Sequence, residues 1–164
     1  MRTQSAELLD FDELKRLLGR YVSSPLGRAE LDKVAPGTER SALEATLAET
    51  AEAMEYVQAA SRPQTAGRGT TARLRFESLP DPAEALQRLR IEGACLEAKQ
   101  IYELTELLDA ASGIRQLLAS VAARFPRLAQ RARQIGEFRT VLGELAGKIL
   151  PDGTLADHAS PELA

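Results

Sequence analysis

The chain has 164 residues, enough for one ordinary domain with its own core, and its 44% apolar and 27% charged content is that of a soluble globular chain rather than a disordered one. A net charge of −3 excludes a surface that attracts polyanions everywhere and leaves only local basic patches for such partners. Cys95 is the single cysteine, so an intrachain disulfide and a thiolate metal cluster are excluded; the opening MRTQSAELLDFDELK has no signal-peptide core and no apolar run approaches the ~18 residues of a membrane span, so the expected location is the cytoplasm, away from membranes.

Blocks of Leu and Ala alternating with Glu and Arg predict an all-α class: an elongated helical bundle with one long helix, a short irregular or extended segment near residues 63–80 and a small hairpin near residues 149–156. In chain order, Asp10 stands where it would cap a first helix, and Phe11, Leu14, Leu17, Leu18 and Tyr21 predict one buried face. Ser24-Pro25 opens a short second helix, with serine at the N-cap and proline at the first helical position, where its missing N–H costs nothing. Pro36-Gly37 stops it. Within it, Gly27 is small enough to let flanking helices approach, and Arg28 is expected to face solvent or an acidic neighbour. Thr38 or Ser41 is expected to cap a longer helix ending before Pro63, with Leu43, Leu47, Ala51, Met54 and Val57 buried and Glu44, Glu49, Glu52 and Glu55 largely off that face.

Residues 62–80 carry Gly67, Gly69 and Pro80 and no helical stripe, while Leu74 and Phe76 alternate with Arg73 and Arg75. Arg62, Arg68, Arg73 and Arg75 form a basic run with no acidic residue before Glu77, and are the candidate polyanion contacts, because guanidinium groups pair with phosphate oxygens. The competing reading is a solvated loop in an arginine-preferring chain, since only Lys15, Lys33, Lys99 and Lys148 of its 21 basic residues are lysine.

Asp81-Pro82 predicts a helix carrying Leu86 and Leu89 and ended by Gly93. Leu96, Ile101, Leu104, Leu108, Ala111, Ile114, Leu118, Val121 and Phe125 then sustain a three-four spacing over roughly 30 residues, about 45 Å of uninterrupted helix, weakened by Gly113 and ended or kinked by Pro126. Leu128, Ile135, Phe138, Val141, Leu142, Leu145 and Ile149 continue the helical pattern, interrupted near Gly136. The period then changes: Ile149-Leu150-Pro151-Asp152-Gly153-Thr154-Leu155 predicts a hairpin turning at Asp-Gly. Ser160-Pro161 opens a helix barely begun at Ala164, so residue 164 reads as a cut within a longer parent.

No catalytic residue, cofactor-binding residue or metal ligand is expected. A P-loop signature is missing, and the single His158 cannot supply paired Glu-x-x-His ligands. The Glu49/Glu52, Glu52/Glu55 and Glu103/Glu106 spacings read as a solvated face. Ser23 and Ser24 have neither a nearby base nor elbow glycines, and read as capping residues. Cys95 reads as a half-buried small apolar residue.

Three phrases in order carry a family resemblance: LLDFDELKRLLGRYVSSPLGRAEL, ETAEAMEYV at residues 49–57, and DGTLADHASPEL at residues 152–163. Together they resemble the opening region of the bacterial MutS-two proteins, the second bacterial branch of the MutS family. The last phrase is the most specific, through Asp152, Gly153, Leu155, Asp157, Ala159, Ser160 and Leu163. Residues 62–80 depart from the more glycine-rich, apolar run usual there.

The resemblance implies that residues 1–164 are a single lever- or connector-type helical core fragment, truncated at its C-terminus. It implies a parent that is a homodimeric DNA-binding ATPase using ATP and Mg, with a clamp, a P-loop ATPase domain and commonly an Smr endonuclease domain, none of which the 164 residues contain. Such parents are associated with suppressing recombination through branched or mismatched DNA and, in some bacteria, with binding rRNA and splitting collided ribosomes. The fragment, non-enzymatic itself, would relay between clamp and ATPase, its partners being the rest of its own chain and, through the parent, DNA or the ribosome. The alternative is a free-standing helical adaptor that binds a protein through the stripe of residues 96–125.

Overall fold

The computed structural model describes residues 10–61, 72–77, 79–157 and 159; the expectations placed on Arg62, Arg68, His158 and Ser160-Pro161 lie outside them. The described residues are all-α: α1 Phe11–Leu18, a 3-10 turn Gly19–Tyr21, α2 Pro25–Lys33, α3 Arg40–Ser61, α4 Ala83–Arg88, α5 Ala98–Ser120, α6 Pro126–Ala132 and α7 Arg139–Leu145. Among them the one β feature is an isolated antiparallel bridge, Ile149 to Leu155. The chain divides into two compact units, Met1–Leu79 and Pro80–Ala164.

In the first unit, Ser24 caps α2 as its sequence demands, its Oγ accepting from Gly27 N–H at 3.1 Å with Pro25 in the first turn. Asp10 does not cap α1. It sits at the N-cap position in a left-handed conformation (φ 47°) and makes no side-chain cap bond. Nor does Arg28 face solvent alone, for its Nη2 donates to Gly19 O at 2.8 Å, at the C-terminal end of α1. Reciprocally, Lys15 of α1 donates through Nζ to Asp32 O, near the end of α2, at 2.7 Å. Each helix thus sets a cation against the other's unpaired carbonyls, where the helix dipole is negative. α2 ends at Lys33, three residues before Pro36.

The helix α3 starts on Glu39 rather than on Thr38 or Ser41. Glu39 accepts from the N–H groups of Ser41 and Ala42 and from the Ser41 hydroxyl, and these bonds, the hydroxyl's foremost, hold its carboxyl below the usual range. The predicted core face is reversed: Leu43, Leu47, Met54 and Val57 are exposed, Leu47 by 67%. Half-buried Ala48, Glu49, Glu52, Ala53, Ala59 and Ala60 share the face of Tyr56, which is 2% exposed. The Tyr56 hydroxyl donates to Ala72 O, so this face packs where the chain returns. Its alanines carry little hydrophobic weight, which is why the leucine stripe dominates the sequence pattern. The stripe on α1 is likewise not a buried face, with Leu14, Leu17, Leu18 and Tyr21 all exposed.

In the second unit, α4 buries Ala85 while Leu86 and Leu89 are exposed, and Asp81 Oδ1 accepts from Ala83 N–H at 2.9 Å. The helix ends at Arg88 and not at Gly93 as its sequence predicts: residues 89–93 form turns, and Gly93, at φ 79°, closes the last of them. The helix α5 spans 23 residues, about 34 Å at 1.5 Å per residue, shorter than the spacing predicts. Gln100 Oε1 accepts from Glu97 N–H at 3.1 Å and fixes its start. At the other end, Pro126 disfavours helical backbone at Phe125 (φ −128°, ψ 68°), and residues 121–124 form turns. Phe125 is fully buried, and with Leu118, Ala129 and Ala132 it locks α6 onto α5.

The predicted hairpin is present. Gly153 N–H donates to Leu150 O, Leu150 N–H to Thr154 O and Ala156 N–H to Lys148 O, at 2.9, 2.9 and 3.0 Å. Pro151 takes the second position of the turn and Gly153 the left-handed one (φ 83°). A Cβ on Gly153 would lie 3.2 Å from Lys99 Cβ and 3.5 Å from its backbone, so the turn rests against the first turn of α5.

Two glycine-to-alanine changes should have opposite signs. A Cβ on Gly19 would fall 2.0 Å from Arg28 Nη1, the far end of a flexible side chain, so Gly19→Ala displaces the guanidinium and is expected to cost at most about 1 kcal/mol, the worth of its bond to Gly19 O. Gly113, inside α5 with nothing within 4 Å of its Cβ position, should gain about 0.5–1 kcal/mol as alanine. Urea unfolding of both variants checks the pair.

Candidate functional site

Of the four predicted polyanion contacts, the described residues include Arg73 and Arg75, both exposed in the irregular stretch 72–77. The hydrogen bond from Tyr56 to Ala72 O anchors the start of that stretch; burial of Tyr56 raises its phenol above the ordinary value of 10.0. Half-buried Leu74 stands between these two exposed arginines. Neither forms an ion pair with any described residue.

In the second unit, an open cleft of about 700 Å³ lies between α5 and the start of α7, with Asp109, Ser112 and Arg115 on one wall and Glu137, Arg139 and Thr140 on the other. Arg115 Nη2 and Glu137 Oε1 pair across it at 2.8 Å. The Ser112 hydroxyl donates to Leu108 O at 2.8 Å, which commits its proton to the helix backbone rather than to Asp109 of the same wall. The cleft therefore offers paired charges and hydrogen-bonding groups. Cys95 is exposed rather than half-buried, because the chain from Gly93 to Glu97 runs outside α5 before the helix begins. The Glu49/Glu52 pair is half-buried on the Tyr56 face rather than solvated.

A second arginine-rich surface was not singled out from the sequence. Residues 110–136 contain Arg115, Arg124, Arg127, Arg131 and Arg133 and no carboxylate, whereas residues 80–109 carry seven carboxylates against three cations. The signal was the missing acid rather than the density of arginine. It is easily passed over because a helical stripe of leucines overlies it. Among the described residues no group of three or more His, Cys, Asp or Glu could hold a metal ion, and no helix is long and apolar enough to cross a membrane.

Comparison with curated proteins gives matches along nearly all of the chain. It is 24% identical to the endonuclease MutS2 of Aquifex aeolicus over 99% of its length, 25% to that of a Geobacillus strain over 99%, and 27% to that of Thermomicrobium roseum over 100%. The chain resembles the N-terminal region of MutS2. It spans 20% of the length of each of these MutS2 relatives. No family profile and no solved structure matches it.

The phrase most specific to the MutS2 resemblance, at residues 152–163, begins at the hairpin turn. Asp152 Oδ1 accepts from Thr154 N–H at 2.9 Å and from its hydroxyl at 2.7 Å, which lowers the Asp152 carboxyl below its ordinary 3.8, the hydroxyl contributing most. A carboxyl depressed by folding contributes stability above its unfolded value and loses it as pH falls through the folded one. Protection of the Thr154 amide against hydrogen exchange should therefore fall on acidification below about 4. That dependence should vanish in Asp152→Asn, which keeps the acceptor but not the titration; an unchanged dependence would contradict this account.

Proposed function

We propose that the chain is the first helical segment of a MutS2-type, ATP-dependent DNA-binding protein, and that it relays between the clamp and the ATPase of that protein without carrying out chemistry itself. The observation that carries the reading is similarity along 99% of the chain to only 20% of each relative. The exposed leucine, methionine and valine face of α3 supports it, since a longer parent would supply the segments that cover such a face. In this reading ATP and Mg act in the parent's nucleotide domain, the parent dimerises, and its target is branched or mismatched DNA, the rRNA of a collided ribosome, or both. Suppression of recombination and ribosome rescue are its two candidate outcomes, and endonuclease activity resides in a further domain.

The helix α5 has the mechanical property a relay needs, because hydrogen-bonded helix about 34 Å long, tied at both ends, passes on a displacement that a loop would absorb. Arg73 and Arg75, with Arg62 and Arg68, would contact phosphate oxygens. A second reading, a free-standing adaptor, rests on the same exposed face of α3 in place of the stripe of residues 96–125, most of which α5 half-buries.

Reading the gene beyond codon 164 separates the two. A Walker A motif some hundreds of codons downstream is expected, and a stop codon directly after Ala164 would favour the adaptor. In the full-length protein, Leu104→Asn with Leu108→Asn is expected to uncouple ATP turnover from nucleic-acid binding while each persists; retained coupling would count against the relay.

A further inference from the structure

We propose that α6 and the turns on either side of it form a second binding surface for the phosphodiester backbone of nucleic acid, made by Arg124, Arg127 and Arg133. The inference rests on the nucleic-acid part of the proposed function, but on different residues, in the other compact unit. Charge is the first argument. Residues 110–136 have five arginines and no carboxylate in a chain whose net charge is −3, so the positive potential is concentrated in one segment.

Pairing is the second argument. Arg16, Arg40 and Arg115 each meet a carboxylate, on Glu13, Glu44 and Glu137. No carboxylate of the described residues pairs with Arg124, Arg127 or Arg133, and all three are exposed. An arginine without an internal anion keeps its planar donor fork available to phosphate oxygens.

The third argument is the platform. Phe125, Ala129 and Ala132 recur at helical spacing on the buried side of α6, which turns Arg127 outward. Arg131, one turn beyond Arg127 on the same face and exposed, already has contacts of its own. The Arg124 guanidinium carbon stands 5.0 Å from the centroid of the buried Phe125 ring, a cation–π contact that orients the side chain. Arg127 on this packed helix, and Arg124 held against the Phe125 ring, lose less side-chain entropy on meeting a phosphate backbone than arginines on a free loop. The charge pattern carries no feature that reads bases, so binding should follow salt rather than sequence.

The test measures affinity of the full chain for a short duplex DNA and a short RNA hairpin across a salt series, with thermal melting as a check on folding. Arg124→Gln/Arg127→Gln/Arg133→Gln is expected to weaken binding at least about tenfold and to reduce the salt slope by roughly 3, one per phosphate contact. The matching triple lysine variant should retain most of the affinity. Unchanged affinity and slope in the glutamine variant, or equal loss in the lysine variant, would overturn the proposal, as would binding to neither probe by the unaltered chain. Arg73→Gln/Arg75→Gln is run alongside: loss there with no loss in the α6 variant overturns this site and leaves the proposed one standing, and the reverse result does the opposite. Comparing the two probes tells whether DNA or RNA supplies the phosphates.

Discussion

A helix leaves four N–H groups and four carbonyls without internal partners at its ends, and most helices among the described residues meet that constraint with named side chains. Ser24 closes the start of α2, Glu39 the start of α3, Asp81 the approach to α4 and Gln100 the start of α5. Arg28 and Lys15 serve the C-terminal carbonyls of α1 and α2. The fully buried large side chains among the described residues are Tyr56 and Phe125, so the helices depend on their ends more than on a broad core.

Helices fixed at their ends can leave apolar faces uncovered and still keep their shape. The outward face of α3 and the leucines of α1 and α4 are such faces. The same logic applies to charge. Phe125 buries its ring to start α6, and the arginines flanking it are displayed on a packed base rather than on a loose strand.

What the sequence made legible was mostly punctuation. Ser24-Pro25, Pro126 and the Asp152-Gly153 turn each impose a backbone requirement that few conformations meet, and each acts as its residue types dictate. Faces were harder to read. The leucine stripe of α3 outweighs its alanine face in any hydrophobic count, yet the alanine face is the one Tyr56 draws inward. Long-range side-chain bonds were not legible at all: nothing local ties Arg28 to Gly19, nine residues away, and only the fold shows that SSPLGR clasps the preceding helix as well as starting the next. For the candidate site, Arg73 and Arg75 were found through their density, whereas the arginines around α6 needed attention to a missing acid.

The dependence of the helices on their ends is tested most directly by amide hydrogen exchange on the chain with Ser24, Glu39 and Gln100 all replaced by alanine. Protection should fall about fivefold along α2, α3 and α5, the effect of roughly 1 kcal/mol for each lost cap. Protection unchanged at the helix centres would contradict the account and place the stability of these helices in their packing alone.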